Sequence, residues 1–415
     1  MSGSKWLRGT VAPGDAAARW PSLLTICDEW LPTRGGISKF NRSLTIAAAE
    51  LNYDTACLVE SATAKEFADA FAHGVTLLTA EVTPAGPVLY VPAREVLDLK
   101  PDVVIGHDIV SGSVAWTYAK RYLGAPLVHI VHAAPSENEP YKRSDEASRR
   151  TEQRESETRR IAAGADVVAA VGPKLARRAN AIVGDGFGDV TVLRLDPGID
   201  TPDEGAARQR RVPDDPTVLM LGRTTHIEPK GLDIAARAVA ALSVPHGRPM
   251  PDLLIRGALD ERCAELRREL VEQSRMARHR IDVRPFTDDL NEIKHNLMRA
   301  AVCVMPSRAE GFGLGALEAI GLGTPVLVSA RSGLAETLVA HLGPGADPLI
   351  VEVDDFLELD VPRWTRAIQR VLDDLPGAFR YAHEVREKLS KVLRWDTTVH
   401  TLVARLGVPA QRSAS

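Results

Sequence analysis

Glu310 and Glu318 have seven residues between them in the stretch Ser307-Arg-Ala-Glu-Gly-Phe-Gly-Leu-Gly-Ala-Leu-Glu318. The run Val302-Cys-Val-Met-Pro306 before this stretch has the length and β-branching of a buried parallel strand. Gly323-Thr324-Pro325 ends the following helix, and Val326 begins another strand. Glu310 therefore lies in a loop at the carboxyl end of a strand, where open α/β sheets bind ligands. Glu318 projects from the helix that starts near Phe312 or Gly313. The first N–H groups of that helix lack intrahelical partners and carry about half a positive charge, so they form an anion site, and Gly311 and Gly313 let a phosphate approach the backbone. A diphosphate seated there would have a sugar on one side for Glu310 and a ribose on the other for Glu318. Carboxylates accept hydrogen bonds from hydroxyls and repel bare phosphate, so both roles suit their chemistry.

Other residues have the right type and position to join them. Arg223 and Lys230 bracket the loop after the strand Thr217-Val-Leu-Met-Leu221. They are either exposed loop charges or the pair that holds a diphosphate, Arg by its planar fork and Lys as a point charge. His107 and His132 end the apolar runs Val103–Ile105 and Leu127–Val131, which places a titratable ring at each strand's carboxyl end. A histidine there is either a loop anchor or a functional group, and the functional reading is stronger for His132. Gly35 and Gly36 follow the first strand, Leu23-Leu-Thr-Ile-Cys27, and open the helix Ile37 to Leu51. They make either a tight strand-to-helix turn or a backbone-lined floor for a phosphate or acceptor group.

The 415 residues exceed what one core usually supports, so two domains are expected. The formal net charge of −4 gives no electrostatic footprint for nucleic acid or an anionic membrane, and no nucleic-acid partner is expected. Cys27, Cys57, Cys263 and Cys303 are far apart in the chain, which reads as free thiols in a reducing, cytoplasmic compartment with no zinc site. Residues 1–20 have no continuous apolar stretch and read as a loose leader. No segment approaches the length of a spanning helix, although docking on a membrane surface stays open. Oligomeric state cannot be read from the sequence.

From about Ser22 strand-like runs alternate with amphipathic segments, the pattern of parallel sheets covered by helices on both faces. Strands are expected at 56–59, 75–78, 88–91, 103–105, 127–131, 166–171 and 190–193, with a charge-dense helix over 140–163. Residues 201–216, rich in charge and proline, read as the linker between a domain at 21–200 and another at 217–390. The second domain has a helix over 230–242, strands near 253–255, 281–283, 302–305, 326–328 and 349–351, and closing helices from 361 to 406.

Taken in order, Gly35-Gly36-Ile-Ser-Lys-Phe40, Ala165-Asp-Val-Val-Ala-Ala-Val171 with Leu175, Pro197-Gly-Ile-Asp200, Gly222-Arg223 with Lys230-Gly231-Leu232, and the Glu310/Glu318 stretch through Gly323-Thr-Pro-Val326 resemble the retaining glycosyltransferases of family 4. The match runs from about Leu23 to Glu336. The resemblance implies the GT-B fold, in which two Rossmann-like, doubly wound parallel-sheet domains face a cleft. The nucleotide is then held mostly by the second domain and the acceptor mostly by the first, and the last helix (391–415) crosses back. It further implies that Glu310 contacts donor-sugar hydroxyls and Glu318 the ribose. Arg223 and Lys230 neutralise the departing diphosphate, His132 lies near the donor sugar, and Gly35 and Gly36 lie beneath the phosphates. The backbone from Gly311 through Phe312 and Gly313 to Leu314 binds sugar and phosphate.

This chain departs from the usual pattern in the long loop Thr224-Thr-His-Ile-Glu-Pro229 and in Ala133-Ala134 after His132. Glu336, in Ser332-Gly-Leu-Ala-Glu336, either belongs to the site or caps or braces a helix.

The function implied is transfer of a hexose-like unit from a nucleoside diphosphate sugar, UDP-linked by the family's habit, to an acceptor of unassigned class. The anomeric configuration is retained, and no metal or other cofactor is required. Leaving-group stabilisation is the main demand of such a transfer, and fixed cations and amide dipoles supply it. No Asp-x-Asp occurs in the chain, which fits a metal-independent site. The competing readings are a non-catalytic nucleotide-sugar-binding module and, less favoured, a sugar-nucleotide epimerase or phosphorylase.

Overall fold

The computed structural model describes residues 21–33, 35–84, 86–142, 147–184, 191–200, 212–224, 227–243 and 249–406. The expected leader, and residues 201–211 of the expected linker, lie outside them.

Among the described residues, thirteen strands form two parallel sheets. The first contains β1 (Ser22–Ile26), β2 (Asp54–Val59), β3 (Thr76–Thr79), β4 (Val103–His107), β5 (Leu127–Val131), β6 (Val167–Val171) and β7 (Leu193–Leu195), in the order β3-β2-β1-β4-β5-β6-β7. The second contains β8 (Thr217–Leu221), β9 (Asp252–Ala258), β10 (Ile281–Pro285), β11 (Val302–Met305), β12 (Val326–Ser329) and β13 (Ile350–Val351), in the order β10-β9-β8-β11-β12-β13. Both sheets are doubly wound about their first strand. The order reverses between β1 and β4 and again between β8 and β11, which opens a crevice at the carboxyl ends of the strands there. The central strands are Val- and Ile-rich and buried along their whole length, as sheets covered on both faces require.

Of the helices that matter for the site, all but the last leave from these carboxyl ends. In chain order they are α1 (Gly36–Glu50), α2 (Asp108–Thr117), α3 (Gly172–Gly184), α4 (Leu314–Gly321), α5 (Gly333–Leu342) and α6 (Trp395–Arg405). Although α6 follows the second sheet, it packs on α1. The ring of Trp395 stands edge-on to Phe40 at 5.2 Å, Trp395 Nε1 donates to Asp200 Oδ1 at 2.9 Å, and Ile199 N donates to Leu393 O at 2.9 Å. One apolar cluster is continuous from Val128, Ile130 and Leu175 of the first sheet and its helices through Phe312 to Val328, Leu334 and Val399. Between α3 and α5, Arg177 makes a two-pronged ion pair with Glu336 at 2.6 and 2.7 Å. Glu336 is thus a brace. The cap of α5 is Ser332, whose Oγ accepts from Ala335 N at 3.1 Å.

Several expected elements differ. The run Val88–Val91 is not a strand of the main sheet. Glu81–Thr83 and Gly86–Val88 pair antiparallel as a separate hairpin, because Pro87 and Pro92 deny that segment ladder donors. The charge-dense helix begins at Ala147 rather than 140. Pro135–Asn138 and Glu139–Lys142 form short helical turns ahead of it, and 143–146 lie outside the described residues. The strand expected at 190–193 forms at Leu193–Leu195. The helix expected over 230–242 is broken in two, Ile227–Lys230 and Leu232–Ala240, because Gly231 adopts φ 67°. A Cβ at Gly231 would overlap the carbonyl oxygen of Pro306, where the loop carrying Glu310 begins. Gly231→Ala combines a left-handed backbone with that overlap. It is expected to lower stability by about 1–3 kcal/mol, read as an earlier urea midpoint with an unchanged slope.

Candidate active site

A cavity of about 830 Å³ lies between the carboxyl ends of the two sheets, and every candidate residue borders it except His107 and Glu336. Gly35, Gly36 and His132 contribute from the first domain. Arg223, Lys230, the Glu310–Leu314 segment and Glu318 contribute from the second.

Two helix N-termini meet in this space. The cap positions of α1 and α4 are Gly35 and Gly313, neither makes a side-chain cap, and neither helix has an acidic residue in its first turn. Among the described residues no side chain caps the first N–H groups of either helix, and each end carries about half a positive charge. At Gly313 the backbone takes φ 113°, and a Cβ would lie 2.6 Å from Met305 Cε, so only glycine fits. An ideal Cβ at Gly36 would lie 3.2 Å from Leu314 Cδ1, so the two N-termini are nearly in contact. Such a pair has the geometry and partial charge that suit an anion.

The cations stand around it. Arg223, which follows Gly222 at the end of β8, is exposed in the cavity and has no hydrogen-bond or ion-pair partner among the described residues. Lys230 Nζ lies 2.7 Å from Glu310 Oε2, an oxygen that also accepts from Ser307 Oγ at 3.3 Å. The Glu310 loop is held from the first domain by Lys174, whose Nζ donates to Glu310 O at 3.1 Å and Arg331 O at 2.5 Å while pairing with Glu137 at 2.6 Å.

Glu318 faces a cation from the other domain. Lys39 Nζ lies 3.8 Å from Glu318 Oε1 and 2.8 Å from Asp200 Oδ2. Burial raises the Glu318 carboxyl above its ordinary value, Lys39 pulls it down, and Asp200 raises it again. Lys39 is therefore the group that favours the ionised, hydrogen-bond-accepting form.

The two strand-end histidines touch each other. His107 Nδ1 lies 3.0 Å from His132 Nε2, and His107 Nε2 lies 2.9 Å from Asn41 Oδ1. Burial, then His129, pushes His107 down to about 3. Burial, then His107 and His129, holds His132 well below its usual value. Both rings are neutral at pH 7, so His132 is an uncharged polar contact. Asp108 Oδ2 accepts from His132 N at 3.2 Å and fixes the strand end.

Lys39, Asp200, Lys174 and Ser307 were not singled out as site groups from the sequence. Lys39, Asp200 and Ser307 do lie inside quoted motifs, and the helical phase of Lys39 in α1 was the available signal. Further along, Phe286, Thr287 and Lys294 border the second domain's side of the cavity, and Glu139 and Arg154 the first domain's side. Their sequence neighbourhoods carry no pattern that would distinguish them from ordinary loop and helix residues.

Two Rossmann-like domains that close a nucleotide-sized cavity around paired helix N-termini define the GT-B class of glycosyltransferases. A family described as "Family 4 Glycosyltransferase in conflict systems" matches residues 24–402, and the chain belongs to it. The glycogen synthase of Mycobacterium tuberculosis (strain ATCC 25618 / H37Rv) is 29% identical over 317 residues, covering 75% of this chain and 70% of that protein. The D-inositol 3-phosphate glycosyltransferase of Actinosynnema mirum is 33% identical over 328 residues, covering 74% and 72%. Among solved structures, sucrose-phosphate synthase from Thermosynechococcus elongatus superposes with TM-score 0.68 at 21% identity, covering 92% of this chain and 98% of that one. Anabaena HepE in complex with UDP and glucose superposes with TM-score 0.69 at 16% identity, covering 94% and 100%. At such identities the superpositions speak for the fold. The protein is thus a glycosyltransferase. Among the described residues no helix is long and apolar enough to cross a membrane.

Proposed function

We propose that the chain transfers a sugar from a nucleoside diphosphate sugar, UDP-linked, to an acceptor bound against the first domain, with retention of configuration and without a metal. The observation that carries this reading is the meeting of two helix N-termini without side-chain caps beside Arg223, which has no partner among the described residues, and the Lys230–Glu310 pair. The diphosphate lies on the N–H groups of α1 and α4. Arg223 and Lys230 take up the charge that develops as the glycosidic bond breaks, in a site where preorganised donors need no reorganisation. That charge is the one a metal would otherwise neutralise. Glu318 accepts from the ribose hydroxyls, and Glu310 and His132 contact the transferred sugar. The acceptor attacks on the face the diphosphate leaves, through an ion-pair-like transition state, and isolation of a covalent glycosyl-enzyme would sink that step. Among the described residues three of the four thiols are buried and all are free, in keeping with a reducing, cytoplasmic setting.

Thermal unfolding against a panel of nucleotides and nucleotide sugars, each run with and without EDTA, tests the donor site. A ligand at 100 times its Kd stabilises the native state by about 2.7 kcal/mol, a shift of a few degrees for a chain this size. A selective shift is expected for one nucleotide sugar, diminished in Glu318→Ala and Lys230→Ala. A panel with no shift would remove the donor site from the proposal, and a shift abolished by EDTA would remove metal independence.

A further inference from the structure

Behind His132 runs a chain of polar groups that no cavity-lining role explains. His107 is fully buried, does not border the cavity, and lies with one ring nitrogen on His132 and the other on Asn41, itself fully buried on α1. Asn41 Nδ2 points to Cys57 Sγ at 3.4 Å, which leaves Oδ1 for His107. Phe40 stands edge-on to both rings, with centroids 6.4 Å from His107 and 5.1 Å from His132, and holds their planes. These contacts order the protons along the chain. Asn41 Oδ1 only accepts, so His107 Nε2 carries the hydrogen. A neutral His107 then has a bare Nδ1, which must accept from His132 Nε2–H. His132 is left with a bare Nδ1, which has no hydrogen-bond partner among the described residues and is not sealed from solvent. The reversed chain requires the Asn41 amide turned over, with the Cys57 thiol, a weak donor, bonding to its oxygen.

We propose that Asn41 and His107 are positioning residues that lock His132 in its Nε2–H tautomer and present Nδ1 as a hydrogen-bond acceptor to a hydroxyl of the transferred sugar. This rests on the reading of His132 as a donor-sugar contact given above. Among the described residues, the hydrogen-bond, ring and electrostatic neighbours of His132 are His107 and Phe40 on its inner side, Asp108 on its backbone, and His129 within the same strand. None of them offers Nδ1 a hydrogen, so the site is selective for a ligand that donates one. A sugar hydroxyl does so, and a bare phosphate oxygen cannot.

The test begins with full-length protein carrying imidazole-15N histidine. Long-range proton–nitrogen correlation reports each ring's tautomer, and His132→Gln and His107→Gln assign the two signals. His132 is expected as Nε2–H with an unprotonated Nδ1; an Nδ1–H ring at this position overturns the proposal. Calorimetric titrations of UDP, UDP-glucose, UDP-galactose and UDP-N-acetylglucosamine follow on the wild type, Asn41→Leu and Asn41→Asp. Loss of one neutral hydrogen bond predicts an affinity about fivefold to tenfold weaker for the tightest UDP-sugar in Asn41→Leu. That loss is confined to the sugar nucleotide, and Asn41→Asp, which keeps an acceptor in the same place, recovers much of it. Equal weakening of UDP and UDP-sugar in Asn41→Leu would show a general distortion and overturn the positioning role. If Asn41→Leu does not fold, the wild-type tautomer and the Asn41→Asp titration still decide. A correct tautomer in a protein that binds none of the three sugar nucleotides defeats the donor-site reading instead, and the hydroxyl contact falls with it.

Discussion

Lys230→Ala is expected to lower kcat by about 10²–10³-fold, the range seen when one preorganised charge-stabilising donor is removed from a transition state. The loss falls on kcat more than on KM, because the charge on the leaving diphosphate grows only as the glycosidic bond breaks. Steady-state kinetics with the nucleotide sugar selected by thermal shift measure it. Lys230 also neutralises Glu310, at 2.7 Å, and the variant would leave that carboxylate with Ser307 as its near partner. Lys230→Ala/Glu310→Gln separates the two effects. Recovery of most of the kcat in the double variant would mean that Lys230 serves only to hold Glu310, against the leaving-group role. Lys230→Arg keeps the charge but replaces a compact ammonium by a broad fork, and an intermediate rate is expected.

Lys39→Met should convert donor binding into a steeply pH-dependent event. In the proposed donor site Glu318 must be ionised to accept hydrogen bonds from the ribose hydroxyls. Burial raises its carboxyl, and Lys39 is the counterweight. The sign follows directly. Protonation at low pH removes acceptor capacity, so UDP affinity in the wild type falls as pH drops through the raised Glu318 value. Without Lys39 that value rises further, and the fall moves to higher pH. Calorimetric UDP titrations across roughly pH 5 to 8 are expected to show Lys39→Met weakest at the acid end and approaching wild type at the alkaline end, while Glu318→Gln loses the Glu318 contribution altogether. Titration of the diphosphate itself is common to all three proteins and cancels in the comparison. A pH-independent loss in Lys39→Met would show that Lys39 acts through the Asp200 contact and the packing of α1 on α6.

The sequence by itself determined the class of this protein. Alternating apolar runs and amphipathic segments specify parallel sheets because a strand buried on both faces needs hydrophobic residues throughout, and that requirement is local and periodic. The Glu310–Glu318 spacing, Arg223 and Lys230 were legible for the same reason, since each lies in or beside a strand–loop–helix whose polarity fixes where its loop must open. Val88–Val91 misled because a short apolar run does not reveal which strand, if any, it pairs with, and two prolines settled the matter in favour of a separate hairpin. The crossing of the last helix was expected, but only the tertiary structure decided which residues meet between the domains. Lys39 reaches Glu318 over a separation of 279 residues, Lys174 holds the Glu310 loop, and Trp395 returns to Phe40. The chain Asn41–His107–His132 is likewise assembled from α1 and two strand ends. Such contacts have no sequence periodicity. They depend on which face of a helix meets which strand end once both sheets are packed, and no local pattern encodes that distance.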